Sequence, residues 1–205
     1  MYTELELVNH ILQTLGETNT ATLATGHPAV LQARATLSAY NKEFQGMGWW
    51  FNKEKNLKLL PDAEGRVRVP EETLNFKVRE CSVWNGQGTR FVKRGNFVYD
   101  TEAHTNILNV AVWADITLLL PYEDLPASAG TYLKHFAAES AFLGDDGDLN
   151  QHGRLVKLTQ DAWGELRKDE LRSVGANALH SPSALWLLNR PRSLSNATRL
   201  AVIGG

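Results

Sequence analysis

A chain of 205 residues with a hydrophobic fraction of 43% and a charged fraction of 21% has the balance of a soluble globular protein. It is long enough for one ample core, or for two small lobes that share one, and two lobes are expected. A formal net charge of -2 excludes the overall basic field that drives sequence-independent DNA binding, while leaving room for local patches. Cys81 is the only cysteine, so no intramolecular disulfide can form, zinc sites built from several thiolates are excluded, and a reducing compartment suits the chain.

The chain opens on Leu5, Val8, Ile11, Leu12 and Leu15, whose three- and four-residue spacing predicts a helix that Gly16 can end as its C′ residue. This segment is acidic and amphipathic where a secretory signal needs a basic start and an apolar run. No stretch approaches the roughly 20 apolar residues of a membrane span. The chain is therefore expected to be made and kept in cytoplasm, with no membrane partner. After a loop over residues 17–27, Pro28 suits the first turn of a second helix. Its stripe of Val30, Ala33, Leu37, Tyr40, Phe44 and Met47 forms a seam for another helix.

The stretch from Gly48 to Pro70 is where helical spacing gives way to alternation. Trp49, Trp50 and Phe51 stand at that handover as a structural junction. Large aromatics of this kind carry much of a small domain's burial, so Trp50→Ala is expected to cost roughly 3–5 kcal/mol. Leu57 and Leu59 predict a strand, Pro61, Asp62 and Gly65 a turn, and Val67 and Val69 a return strand, together a hairpin. Leu74, Phe76 and Val78, opposed by Asn75, Lys77 and Arg79, predict another half-buried strand. Trp84 and Asn85 head a turn-rich tip. Residues 91–100 fold as two short strands over Gly95 and Asn96. One or two further strands follow, over Ile107, Val110 and Val112 and then Ile116, Leu118 and Leu120.

Asp124, Leu125 and Pro126 give a helix start, with Asp124 as the cap. Ala129, Tyr132, Leu133, Phe136, Ala137, Ser140 and Leu143 keep one face of this third helix apolar or small. A fourth stripe over Leu149, Leu155, Val156, Thr159, Ala162, Trp163 and Leu166 ends near Arg172. The fold class expected is α+β: a four-helix bundle from residues 1–48 and 124–172, an inserted and mainly antiparallel β lobe over 49–123, and an extended C-terminal arm over 173–205. In the arm, Leu185, Trp186, Leu187 and Leu188 make an apolar cluster that either docks on another surface, such as another subunit, or packs on its own bundle.

Catalytic patterns are weak. A calcium loop begun at Asp146 would need glycine where Gln151 stands and glutamate where Lys157 stands. No pair among the six histidines has the four-residue spacing of zinc proteases, and no serine lies in a Gly-x-Ser-x-Gly elbow. Carboxylates for glycoside hydrolysis could be drawn from Glu71, Glu72, Asp115, Glu123 or Asp124. Neither a cofactor nor a metal is expected, and the chain is read as a non-enzyme.

The order of features in this chain resembles the tail tubular protein A family, the tail adaptors of short-tailed bacteriophages. The resemblance rests on Gly16 and Glu17 after the first helix, then on Gly48, Trp49 or Trp50, Phe51 and Asn52. It continues through Leu60, Pro61, Asp62, Gly65, Val69 and Pro70, then Arg94, Gly95, Tyr99 and Asp100, and ends at Asp124, Leu125 and Pro126. It implies a structural virion protein of the tail, assembled as a ring of about twelve copies between the portal protein and the tail nozzle protein. Such a ring leaves an axial channel through which DNA passes without specific binding, and a near-neutral chain suits a conduit. The interface candidates are Leu185, Trp186, Leu187, Leu188, Arg190 and Arg192 of the arm, with Trp84 and Asn85 of the turn. The rival readings are a tail-associated glycan hydrolase working with the acidic residues of the β lobe, and a binding module that uses Trp84.

Overall fold

The computed structural model describes residues 1–81, 90–143, 148–173 and 175. Four helices occupy Glu4–Thr14 (α1), Pro28–Gly46 (α2), Ala127–Leu143 (α3) and Leu149–Ser173 (α4). Five strands occupy Lys53–Leu59 (β1), Thr73–Cys81 (β2), Phe91–Arg94 (β3), Phe97–Asp100 (β4) and Val112–Leu118 (β5). Among the described residues all strand pairing is antiparallel, so the fold is mixed α+β, as expected.

Local chemistry sets the ends of α1. Thr3 and Glu6 form a capping box, with the Glu6 amide donating to Thr3 Oγ1 at 3.3 Å and the Thr3 amide donating to the Glu6 carboxylate at 2.8 Å. At the other end Gly16 adopts a φ of 76°, and the Glu17 amide reaches back to the Leu12 carbonyl at 2.9 Å, closing a Schellman turn. Leu7, Val8, Ile11 and Leu12 of α1 are buried against Val30, Ala33, Leu37 and Phe44 of α2 and Ala129, Leu133 and Ala137 of α3. From α4, Leu155, Thr159, Ala162 and Leu166 are the buried positions, and Ala162 and Leu166 join the same cluster.

The expected stripes shift in places. On α2, Asn41 and Gln45 are buried, Tyr40 is half-buried, and Met47 is 55% exposed because the helix ends at Gly46 before that position comes round to the core. Leu143 and Leu149, at the facing ends of α3 and α4, are 64% and 86% exposed. Asp124 lies in a 3-10 turn over Tyr122–Asp124, and α3 begins only at Ala127.

The larger difference is in strand pairing. The hairpin expected between Leu57–Leu59 and Val67–Val69 does not form, and β1 pairs with β5 from Lys53↔Thr117 to Leu59↔Val112. β5 is the central strand, flanked by β1 and β2. Residues 66–68 make isolated bridges instead, Pro61↔Val67, Arg66↔Ile107 and Arg68↔Phe97. β5 wins the centre because Val112, Ala114 and Ile116 bury one whole face at 0–1% exposure, which needs a neighbour on each edge. Val67 and Val69 point into a second apolar cluster with Val78, Cys81, Phe91, Val98 and Val112. The hairpin of β3 and β4 over Gly95 and Asn96 forms as expected, in the register Phe91↔Asp100 to Arg94↔Phe97.

Gly65 makes the sharpest demand on sequence. Its φ is 77°, and an added Cβ would stand 2.0 Å from Asn109 Oδ1. Its carbonyl accepts from the amides of Leu108 and Asn109 at 2.8 and 2.9 Å, which fixes the loop over residues 107–109. Gly65→Ala is expected to cost about 2–4 kcal/mol from left-handed backbone and clash combined, against about 1 kcal/mol or less of change for Gly46→Ala, whose Cβ would meet open space. Urea unfolding midpoints of the two variants check the contrast.

His10 of α1 meets His135 of α3 edge to face, with ring centroids 5.5 Å apart. Burial, reinforced by Lys134 and His135, pushes the His10 pKa down to about 4, and burial with Lys134 lowers His135 as well. Between the ordinary value of 6.5 and about 4 the folded state binds fewer protons than the unfolded one. Stability is therefore full above that ordinary value and declines with acid across the window. Urea midpoints should fall between about pH 7 and about pH 5, and should fall less for His10→Gln. Equal pH dependence in the two proteins would sink this assignment.

Candidate functional site

Every helix ends with carbonyls that lack an amide four residues on, and at the end of α2 the residues Phe44 and Gln45 are fully buried. Side chains from three places fill the gap. Trp49 Nε1 donates to the Phe44 carbonyl at 2.8 Å, Asn52 Nδ2 donates to the Gln45 carbonyl at 2.9 Å, and Asn75 Nδ2 donates to the Gly46 carbonyl. Asn52 also donates to the Leu118 carbonyl at 2.9 Å, and its Oδ1 accepts from the Trp49 amide at 2.8 Å. Its own carbonyl accepts from the Leu118 amide at 2.8 Å.

Gln45 completes the connection. Its side-chain amide donates to the Leu120 carbonyl at 3.0 Å and accepts from the Leu120 amide at 2.8 Å, so it pairs with that residue as a strand backbone would. It donates as well to Asn41 Oδ1 at 2.9 Å. Asn41, Gln45 and Asn52 are all buried. Together these bonds fasten the end of α2 to the start of β1, to β2 and to the exit of β5.

An aromatic cluster covers the polar network. Trp49 is 3% exposed and packs on Phe44 with centroids 5.2 Å apart. It meets Trp163 of α4 at 5.4 Å and Trp50 at 6.3 Å, both nearly perpendicular. Trp163 also rests on Tyr132 of α3 at 5.1 Å. Trp50 and Phe51 are half-buried and edge-on to each other at 5.1 Å. The full cost of a core truncation thus moves from Trp50 to Trp49.

Pro61 bridges to Val67, and Asp62 holds the turn that follows. Asp62 Oδ1 accepts from the amides of Glu64 and Arg66 at 3.0 and 2.9 Å, which lowers its pKa, the Arg66 amide contributing most. On β4, Asp100 receives Arg90 as a fork, at 3.1 Å to Oδ1 and 2.7 Å to Oδ2. That pairing is the main cause of an Asp100 pKa of about 2. Asp115 is likewise lowered by hydrogen bonding from Arg79. A general acid of glycoside hydrolysis needs a raised pKa, so Asp115 has the opposite tuning.

Two hollows flank β5. One, of about 540 Å³, is lined by Asn41, Pro70, Glu72, Leu118, Leu120 and Tyr122 among others. The second, of about 400 Å³, is lined by Met47, Lys53, Asn75, Lys77, Arg79, Asp115 and Thr117 with Phe76. Trp84, Asn85, Leu185, Trp186, Leu187, Leu188, Arg190 and Arg192 lie outside the described residues. Among the described residues no group of three or more His, Cys, Asp or Glu could hold a metal ion, and no helix is long and apolar enough to cross a membrane.

A family model described as tail tubular protein matches residues 5–179. The chain belongs to the tail tubular protein family. It is also 28% identical over 171 residues to tail tubular protein A of Klebsiella phage KP34, across 83% of this chain and 88% of that relative. As a tail tubular protein it is a structural component of the phage tail. The Gly-Trp-aromatic-Asn segment that carries the sequence resemblance is the one whose side chains cap α2. The roles of Asn41, Gln45 and Asn75 in this tail tubular protein were not anticipated. Their one visible signal is that Asn41 and Gln45, four apart, interrupt an otherwise apolar stripe around Phe44.

Asn52→Ala would strand the Leu118 carbonyl and the Trp49 amide in the interior, and should cost about 3 kcal/mol or more. Trp49→Ala should cost roughly 3–5 kcal/mol, with less than about 2 kcal/mol for half-exposed Trp50→Ala. Equilibrium urea unfolding of the three variants gives the order, and a larger loss at Trp50 than at Trp49 would refute it.

Proposed function

We propose that this tail tubular protein is the subunit of an adaptor ring of about twelve copies, set between the portal protein and the tail nozzle protein and forming part of the DNA ejection channel. The observation that carries the reading is the family match across residues 5–179. A subunit can close a ring only if the angle between its parts is fixed, and the side-chain caps on α2 supply such a constraint.

In this reading, residues 1–48 and 124–172 act as a four-helix bundle, 49–123 as the inserted β lobe and 173–205 as the arm. Trp49, Trp50, Phe51, Pro61 and Asp62 hold lobe and bundle at the working angle. Leu185, Trp186, Leu187, Leu188, Arg190 and Arg192 provide the arm's contact with a neighbour, and Trp84 and Asn85 a contact of the lobe. The protein is made in the host cytoplasm and incorporated into the virion. DNA slides past a lining without a net basic charge, because counterion release at a basic lining would retain it. No step of the role requires catalysis.

Native mass spectrometry with purified portal should detect a ring of this protein on the portal, whereas a persistent monomer that never binds portal would overturn the reading. Deleting residues 176–205 should leave the remainder folded by circular dichroism and weaken assembly at least tenfold. Loss of the folded signal on deletion would make the arm part of the core.

A further inference from the structure

The outer face of the β1–β5–β2 sheet carries a charge pattern that the fold does not use. Along β5, Val112, Ala114 and Ile116 point inward, so Trp113, Asp115 and Thr117 share the opposite face, where Trp113 and Asp115 are half-buried and Thr117 is buried. The register sets Lys53 opposite Thr117, Lys58 opposite Trp113, and Lys77 opposite Asp115. Arg79 pairs with Asp115 on this same face, and Lys58 lies over the Trp113 ring at 5.3 Å. Four cations thus share a face with Asp115 and Glu80, in a chain of net charge -2. Among the described residues Lys53 and Lys77 form no ion pair, and both line the 400 Å³ hollow.

The complementary charge lies on the other side of β5. Glu71 and Glu72 occupy the turn entering β2, and the Leu119 amide donating to the Glu72 carbonyl at 2.8 Å places that turn beside the exit of β5. Glu123 and Asp124 follow in the 3-10 turn, next to Tyr122, which lines the 540 Å³ hollow with Glu72. All four carboxylates are exposed and form no ion pair among the described residues, and they outnumber the nearby Lys42 and Lys93. Thr117 lines the basic hollow and Leu118 the acidic one, so the two open on opposite faces of one strand.

Complementary patches on opposite sides of one subunit are what a head-to-tail contact requires, since such a contact joins two different surfaces of identical copies. We propose that the basic outer sheet face of one copy, centred on Lys53 and Lys77, docks on the acidic corner formed by Glu71, Glu72, Glu123 and Asp124 of the next copy. The proposal rests on the ring reading and specifies which surfaces meet. A second copy fits the face better than a nucleic acid does, because Asp115 and Glu80 stand among the lysines and would repel phosphates.

Charge reversal tests it in the full-length chain, with and without purified portal. Lys53→Glu with Lys77→Glu makes one variant, and Glu72→Lys with Glu123→Lys makes another. Each alone should lose assembly about tenfold or more, and wild-type assembly should weaken between low and about 1 M salt. Mixing the two variants should restore assembly, because reversed faces then alternate around the ring, and that rescue also shows that both variants fold. Unchanged assembly in the single variants, or no rescue on mixing, overturns the docking proposal while leaving the ring reading in place. Normal assembly together with lost retention of a short DNA duplex by the lysine variant would also overturn it, in favour of a nucleic-acid face. A wild-type chain that never assembles, even with portal, removes both readings.

Discussion

The carbonyls of Phe44 and Gln45 end α2 in the interior and that of Gly46 ends it at the surface, and much of the molecule is arranged around the groups that meet them. Trp49, Asn52 and Asn75 do so from outside the helix, the first two from the turn that leads into β1 and the third from β2. Because these side-chain bonds add to the Met47 and Gly48 amides that already reach back to Phe44 and Gln45, they tie the direction of α2 to the starts of β1 and β2. Gln45 extends the constraint to the exit of β5 by pairing with Leu120 at both of its polar atoms. Asn52 is the centre of this arrangement, since its amide touches α2, the Trp49 backbone and β5 together.

The aromatic cluster adds mass to that polar frame. Trp49 contributes an N–H to the cap and a ring to the core, so the same residue joins α2 to α4 through Trp163. Here the hydrogen bonds fix direction and the edge-to-face rings fill the space around them.

Charge is distributed with the same economy. Asp100 and Asp115 are matched by Arg90 and Arg79 within the sheets, and Asp62 by the amides of its own turn. Among the described residues, Lys53 and Lys77 on one side of β5, and Glu72 and Glu123 on the other, form no direct ion pair, although Lys53 helps to lower the Asp115 pKa. Near-neutrality of the whole chain therefore conceals two opposed patches, which composition averages away.

Much of the local structure was legible without coordinates. Gly16 marks the end of α1, Pro28 opens α2, and Gly95 with Asn96 turns the β3–β4 hairpin, because each acts through its own backbone or a neighbour within a few residues. The ordered motifs around Gly48, Pro61 and Asp124 likewise led to the tail tubular protein family. The pairing of β1 with β5, some sixty residues away, was not legible, since Leu57 and Leu59 alternate identically whichever strand lies beside them. Nor were the tasks of Asn41, Gln45 and Asn75, because an amide looks the same in sequence whether it faces water or a stranded carbonyl. The sequence by itself determined which segments are helix, strand and turn, through short-range sterics and periodicity. Tertiary structure alone decided which edges pair and which polar groups are buried together, because those choices depend on groups that meet only when the chain has folded.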